Sequence, residues 1–230
     1  VPGKYLVNTM PDQISDDIVD LFRDIETATI GHWRLFGFCH RAIRAMQTGM
    51  RSVGTAVTVA IPGADSTLLH HAIDQLRPGD FLVVDRLGDD RHACWGGGVS
   101  SAAMARGVAG AVVDGPVTDI SEINKLKLPM WSRGLSPITT RIYDLGGRMN
   151  VPVSIGGVVV MPGDLVLADE SGVLVIPASE AAEEGKKASE FQKRGLETER
   201  RLKTGELNIG DLQNVNEMVL HGQKKVIGND

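Results

Sequence analysis

Asp119 and Glu122 stand three residues apart in "VTDISEI", just after an apolar run that ends in Asp114-Gly115-Pro116. The spacing Asp-x-x-Glu admits two readings. In one, Asp119 is the N-cap of a helix and Glu122 its N3 partner, a capping box that satisfies free backbone N–H groups. In the other, the two acids serve a hard divalent cation. Mg²⁺ takes one or two carboxylates plus waters and leaves positions for substrate oxygens, and acids at i and i+3 of a helix start share a face. No histidine cluster has ligand spacing, which disfavours zinc. A second candidate is the run Gly96-Gly97-Gly98-Val99. Its amides could cradle a carboxylate or phosphate at a helix N-terminus, or the glycines could simply permit a tight turn. The run is neither a Walker loop nor G-x-G-x-x-G.

Other residues offer less. His70 and His71 are adjacent in a helical pattern, so at most one can face a core. Cys94 reads as a small buried residue without a partner base, and Trp95 as packing. Ser100-Ser101 lacks the G-x-S-x-G setting of a hydrolase nucleophile. Asp169 and Glu170 read as turn residues between two β runs.

The candidates need elements to hold them. Apolar residues Ile14, Ile18, Leu21, Phe22 and Ile25 predict an amphipathic helix over 12–25, and a second helix is expected to begin near His40. "SVGTAVTVAI" is β-branched and reads as a strand. "DSTLLHHAIDQL" reads as a helix capped by Asp65 or Ser66, and "PGDFLVVD" as a turn feeding a buried strand. Strand ends at Asp85 and Asp114 lead into the glycine loop and the Asp119 helix. Ligands in α/β sheets sit at such carboxyl ends. Residues 151–177 hold three or four short β runs. A long polar helix follows, with few apolar anchors, so it packs on one side only or on another subunit. The final 25 residues read as a tail or arm. The alternation predicts one α/β core with a central mixed sheet, mostly parallel in its middle. The expected division is a helical segment over 1–48, the core over 49–180 and a C-terminal helix and tail over 181–230.

Bulk properties narrow the classes. The 230 residues are 42% hydrophobic, enough for a sizeable core. The net charge is −5 with no basic block, which argues against nucleic acid as a partner. No apolar run is long enough to span a membrane, and "VPGKYLVNTMPDQ" does not read as a signal peptide. The two cysteines, Cys39 and Cys94, give no disulfide framework, and a cytoplasmic home is expected.

In order, "PGDFLVVD", "ACWGGGVSSAAMARGVAGAVVDGPVTD", "WSRGLSP" and "VPVSIGGVVVMPGDLVLADESGVLVIP" resemble the RraA-like family over roughly residues 50 to 180. That family includes class II 4-hydroxy-4-methyl-2-oxoglutarate/4-carboxy-4-hydroxy-2-oxoadipate aldolases and the regulator of ribonuclease E activity A. The resemblance implies an α/β/β fold, ring-like homotrimers or homohexamers with active sites between subunits, and a divalent metal, Mg or Mn. It implies an aldolase on a small 2-oxo carboxylate, with oxaloacetate decarboxylation as side reaction. It assigns the Gly96, Gly97, Gly98 and Val99 amides to the substrate carboxylate and Asp119 to the metal. Glu122 takes the last acidic place of the pattern G-x20-R-D-x2-E/D, with Gly97 as its glycine. Thr118 departs from the pattern, because the family's substrate-contacting arginine belongs there. Losing that charge-assisted contact is worth about 2–4 kcal/mol. The expectation is therefore a metal-dependent lyase whose substrate is shifted from the usual pyruvate precursors, with Arg86, Arg91 or Arg141 as possible sources of the missing charge. The competing expectation is a non-catalytic, ring-shaped regulator.

Overall fold

The run 52–60 alternates its side chains between two environments. Val57 and Val59 join one apolar cluster, and Ala56 and Ala60 another. This is the period-2 pattern of a strand covered on both faces. The computed structural model describes residues 3–227, with side chains through 223, so the first two residues of the N-terminal stretch and the end of the expected tail lie outside it. The chain forms two compact units, Val1–Ala188 and Ser189–Asp230.

In chain order the first unit contains β1 (Tyr5–Val7), α1 (Asp16–Phe22), α2 (Thr27–Gly31), β2 (Arg44–Ala45), β3 (Ser52–Ala60), α3 (Thr67–Gln75), β4 (Asp80–Asp85), α4 (Gly97–Ala105), β5 (Gly110–Val117), α5 (Ile120–Leu126) and β6 (Met130–Leu135). It continues with β7 (Gly147–Met149), β8 (Val153–Ile155), β9 (Val158–Val160), β10 (Leu165–Ala168), β11 (Val173–Ile176) and the start of α6 (Ala178–Lys203). Among the described residues these strands build a nine-stranded mixed sheet of order β1-β7-β3-β4-β5-β6-β2, with β10 and β11 attached through β3, and a separate β8–β9 hairpin. Strands β3 to β6 are parallel neighbours. β10 and β7 share the other side of β3, both antiparallel to it.

Three apolar clusters define the layers. Leu82 and Val84 of β4, with Ala111 and Val113 of β5, pack with Leu69, Ile73, Ala103 and Ile123 of α3, α4 and α5. Phe81, Val83, Val112 and Trp131 point the other way, onto Val153, Ile155 and Val160 of the hairpin and Val166 of β10. The alternate residues of β10 and β11, among them Leu165, Leu167 and Leu174, meet Phe22, Ile25, Ile30, Ala181 and Ala188. The result is the expected α/β/β arrangement with a central mixed sheet and a long C-terminal helix.

Four local expectations are corrected. The first helix is shorter than 12–25, because Ile14 donates its N–H to Thr55 Oγ1 (2.9 Å) and so ties the chain to β3 before the helix begins. No helix starts near His40. Cys39 and His40 donate their N–H groups to Val173 O and Gly156 O (both 2.9 Å), so tertiary pairing overrides any local helical tendency. β5 does not stop at Asp114. It runs through Pro116 to Val117, with a bulge between Val113 and Pro116 against β6. Pro116 falls just after that bulge and beyond the end of the β4 ladder at Val113, where β5 is paired on one side only, a position that suits proline. The final 25 residues are not a plain tail: the second unit holds the rest of α6, a 3-10 turn (Ile209–Asp211) and α7 (Val215–Ile227). Within the first unit, the α6 residues 178–188 bury only Ala181, Gly185 and Ala188, a narrow stripe of small residues.

Candidate active site

β4 and β5 are followed by α4 and α5, which places both following loops at one end of the parallel strands. A cavity of about 440 Å³ opens there. Ala93, Cys94 and Gly96 to Val99 line it from the β4–α4 connection, and Thr118 and Asp119 from the β5–α5 junction. Ser66 and His70 come from the start of α3, and Thr139 to Ile142 from the loop after β6.

Asp119 is the N-cap residue of α5 by position, yet its side chain makes no cap hydrogen bond. Its backbone is left-handed (φ 53°), a conformation that non-glycine residues adopt sparingly and Asp more readily than most. The carboxylate turns away from its own helix and accepts the Gly97 N–H through Oδ2 (2.9 Å). Thr118 Oγ1 lies 3.3 Å from Oδ1 and donates to it. The capping-box reading of the two acids therefore fails at the side chains. Asp119 forms no ion pair among the described residues, and it is exposed on the cavity wall. Glu122 takes no part in the lining. It is exposed and pairs with Lys125 Nζ at 2.7 Å.

Close approach of the two loops depends on glycine. A Cβ at Gly96 would come within 2.6 Å of Asp119 Oδ2 and 3.1 Å of Thr118 Cγ2. The loop is also tied from behind. Thr118 donates its N–H to Trp95 O (2.8 Å), the Trp95 indole donates to Ser100 Oγ (2.9 Å), and that hydroxyl donates to Gly96 O (2.8 Å). Of the four amides expected to form an anion cradle, that of Gly97 is already committed to Asp119. Those of Gly98 and Val99 sit in the first turn of α4, where no intrahelical acceptor exists.

The two strand-end acids prominent in the sequence have other work. Asp85 accepts the N–H groups of Leu87 (2.7 Å) and Ser154 (3.1 Å). Asp114 pairs with Arg133 and accepts the Gly156 N–H (2.9 Å). Neither lines the cavity. Neither His70 nor His71 faces the core, because the buried residues of α3 are Leu68, Leu69, Ala72 and Ile73. His70 borders the cavity instead. Cys94 lines it too, but burial pushes its thiol up to about 11 against the pull of the Arg86 charge, so it is protonated at neutral pH.

The three arginines divide clearly. Arg86 is fully buried and off the lining. One terminal nitrogen donates to Gly63 O and His92 O, while Nε and Nη1 have no acceptor among the described residues. Arg91 is exposed and also off the lining. Arg141 lines the cavity.

What brings Arg141 there is Asp65, a residue the sequence offered only as a helix cap. Its carboxylate accepts the N–H groups of Thr67 (3.0 Å), Tyr143 (3.0 Å) and Leu145 (2.8 Å) and the Thr67 hydroxyl (2.6 Å). Burial alone would raise the Asp65 pKa, but these donors outweigh it and hold the carboxyl down at about 2. A run of turn-like residues between two strands gave no local sign of this long-range anchor.

Known proteins share this architecture and sequence. The family described as RraA-like, Aldolase/RraA, matches residues 13–175. A protein of Halalkalibacterium halodurans named as a putative 4-hydroxy-4-methyl-2-oxoglutarate aldolase is 34% identical over 182 residues, which cover 78% of this chain and 86% of that one. A 4-hydroxy-4-methyl-2-oxoglutarate aldolase of Thermus thermophilus is 33% identical over 113 residues, 49% of this chain and 68% of that one. The crystal structure of an unusual member of the RNase ES inhibitor RraA protein family from Streptomyces coelicolor superposes with a TM-score of 0.71 at 29% identity, covering 85% of this chain and 99% of that one. By the extent of the family match and the coverage of these relatives, the chain belongs to the RraA-like family.

Proposed function

We propose that the cavity is the active site of a divalent-metal-dependent lyase of the aldolase type, acting on a small 2-oxo or hydroxy carboxylate. The observation that carries this reading is the Asp119 carboxylate. It is fixed by the Gly97 N–H, unpaired with any cation among the described residues, and placed on a cavity wall beside open helix-start amides. The aldolase names of relatives at about 34% identity support the reaction class at the family level.

The donor set fits a hard cation held mostly through water. One carboxylate with free lone pairs is available, and no cluster of three or more His, Cys, Asp or Glu suited to a metal occurs among the described residues. A bound Mg²⁺ or Mn²⁺ would supply Lewis-acid stabilisation of charge on the 2-oxo oxygen. Asp119 would hold it, and the Gly98 and Val99 N–H groups would bind the substrate carboxylate. In the cleavage itself the C3–C4 bond of a 4-hydroxy-2-oxo acid breaks. The 4-hydroxyl loses its proton, C4 becomes a carbonyl, and the electron pair moves to C3, which then takes up a proton. Thr118, whose hydroxyl is directed at Asp119, contributes no charge to the substrate, and this supports a substrate shifted from that of the named aldolases. Glu122 would act only by orienting water at the cavity edge. Assembly into trimers or hexamers belongs to the same proposal, supported by the exposed Leu135, Ile138 and Ile142 at the end of β6 and in the loop after it, of which Ile142 lines the cavity.

The test is turnover of 4-hydroxy-4-methyl-2-oxoglutarate and oxaloacetate with Mg²⁺ and with EDTA. Metal-dependent turnover that Asp119→Ala lowers by about 10²-fold or more is the expected result. Unchanged activity in Asp119→Ala would sink the site assignment. The second reading, a ring-shaped regulatory protein, is supported by the likeness to the RNase ES inhibitor family member. Titration calorimetry showing no Mg²⁺ or Mn²⁺ binding would favour it.

A further inference from the structure

We infer that Arg141 is the substrate-binding cation of this site, taking the role left vacant at Thr118 and selecting an anionic 2-oxo carboxylate. The inference rests on the reading of the cavity as an active site and specifies what that site recognises.

A dianionic or monoanionic carboxylate entering the cavity meets one fixed negative charge, Asp119, and needs positive charge to offset it. Among the described residues that line the cavity, Arg141 is the only one carrying a permanent positive charge. Its placement is built rather than incidental. Its backbone N–H donates to Ala64 O (2.8 Å), and its carbonyl accepts the Ser66 N–H (3.0 Å). Two and four residues on, Asp65 holds Tyr143 and Leu145. Two residues before it, Thr139 bridges to Ala93, at the entrance to the glycine loop.

The guanidinium is steadied on one side only. Nη1 donates to Thr139 O (3.0 Å), Thr139 Oγ1 (2.7 Å) and Thr140 O (3.0 Å). Nε and Nη2 have no partner among the described residues, which leaves one edge of the planar fork for a carboxylate, the pairing that arginine makes best. Thr118 cannot compete for the same anion, since its hydroxyl is directed at Asp119. The charge that a residue beside Asp119 would carry is thus delivered from a different loop, at a different position along the cavity wall.

The experiment measures oxalate binding to the full chain by titration calorimetry, once in EDTA and once with Mg²⁺. Arg141→Ala and Arg141→Gln are expected to weaken oxalate binding about 10- to 100-fold, Arg141→Lys less, and Thr118→Arg placed in the Arg141→Ala background is expected to restore part of the loss. Mg²⁺ affinity in the absence of oxalate is expected to be unchanged in Arg141→Ala. Wild-type oxalate affinity in both neutral variants, or no oxalate binding by the wild-type chain in either condition, overturns the inference. Loss of the metal-lyase reading shows separately, as Mg²⁺ affinity that Asp119→Ala leaves untouched, while the EDTA arm still decides the role of Arg141.

Discussion

A single hydrogen bond changes how Asp119 is understood. Its carboxylate is held by Gly97 N–H rather than by its own helix, so the group is oriented across the cavity instead of being used up as a cap. That geometry exists because residue 96 has no Cβ. Gly96 lies in extended backbone (φ −140°) that alanine adopts without strain, so Gly96→Ala tests contact rather than conformation. The added methyl would meet Asp119 Oδ2 at 2.6 Å and push the carboxylate off the Gly97 amide. The expected outcome is a fall in kcat/KM of about 10- to 100-fold, the value of a charge-assisted hydrogen bond, with little change in thermal midpoint. Steady-state kinetics beside a thermal melt separates this from general destabilisation.

The elements around the site owe their positions to buried and half-buried acids acting on backbone N–H groups. Asp65 ties the start of α3 to the segment 141–145, and Asp85 and Asp114 tie β4 and β5 to β8 and the turn after it. Asp65 is 1% exposed, and its carboxyl is held at about 2. Its folded pKa lies below the unfolded value of about 3.9, so its contribution of roughly 2–3 kcal/mol is fully present above pH about 4 and is lost as the pH falls toward 2. Asp65→Asn is expected to lower stability near neutral pH and to flatten the acid limb of the stability profile between pH about 4 and 2. Denaturant unfolding across that range measures both. An acid limb identical to that of the wild type would show that Asp65 is not the anchor described. Weaker oxalate binding in the same variant would follow from a loosened Arg141.

At the scale of the first unit, the α6 residues 178–188 close its third apolar cluster. The helix is polar, and its buried stripe consists of Ala181, Gly185 and Ala188. Small residues allow close approach to α1: a Cβ at Gly185 would lie 2.8 Å from Phe22 Cε2 and 3.0 Å from Leu21 Cβ. Polar contacts complete the attachment, with the Trp33 indole donating to Glu184 (2.5 Å) and Arg34 paired with Glu180 and Glu184. Gly185→Val is expected to destabilise the first unit by about 1–3 kcal/mol through overpacking, read as a shift in denaturant midpoint at unchanged slope. The metal binding proposed at Asp119 is expected to be unaffected, because the overpacked stripe lies in a different apolar cluster from the helices that carry the site.

Much of this was legible in the chain alone. The β-branched residues of 52–60, continuous apolar runs ending at Asp85 and after Ala111, and the turn residues between 151 and 177 specify strands because buried faces demand them locally. Motif order across those runs identified the family, and the resemblance singled out the glycine loop, Asp119 and the departure at Thr118 as the residues to follow. What the sequence could not decide lay in contacts between distant residues. A helix near His40 was excluded by backbone pairing to Val173 and Gly156. Asp119 was released from capping by a glycine in another loop, and Arg141, rather than Arg86 or Arg91, was brought to the cavity by Asp65. Local propensity and periodicity record which face of an element is buried. Which carboxylate answers which N–H across the molecule is fixed only when the layers close, since the partners lie far apart in the chain and meet only through tertiary packing.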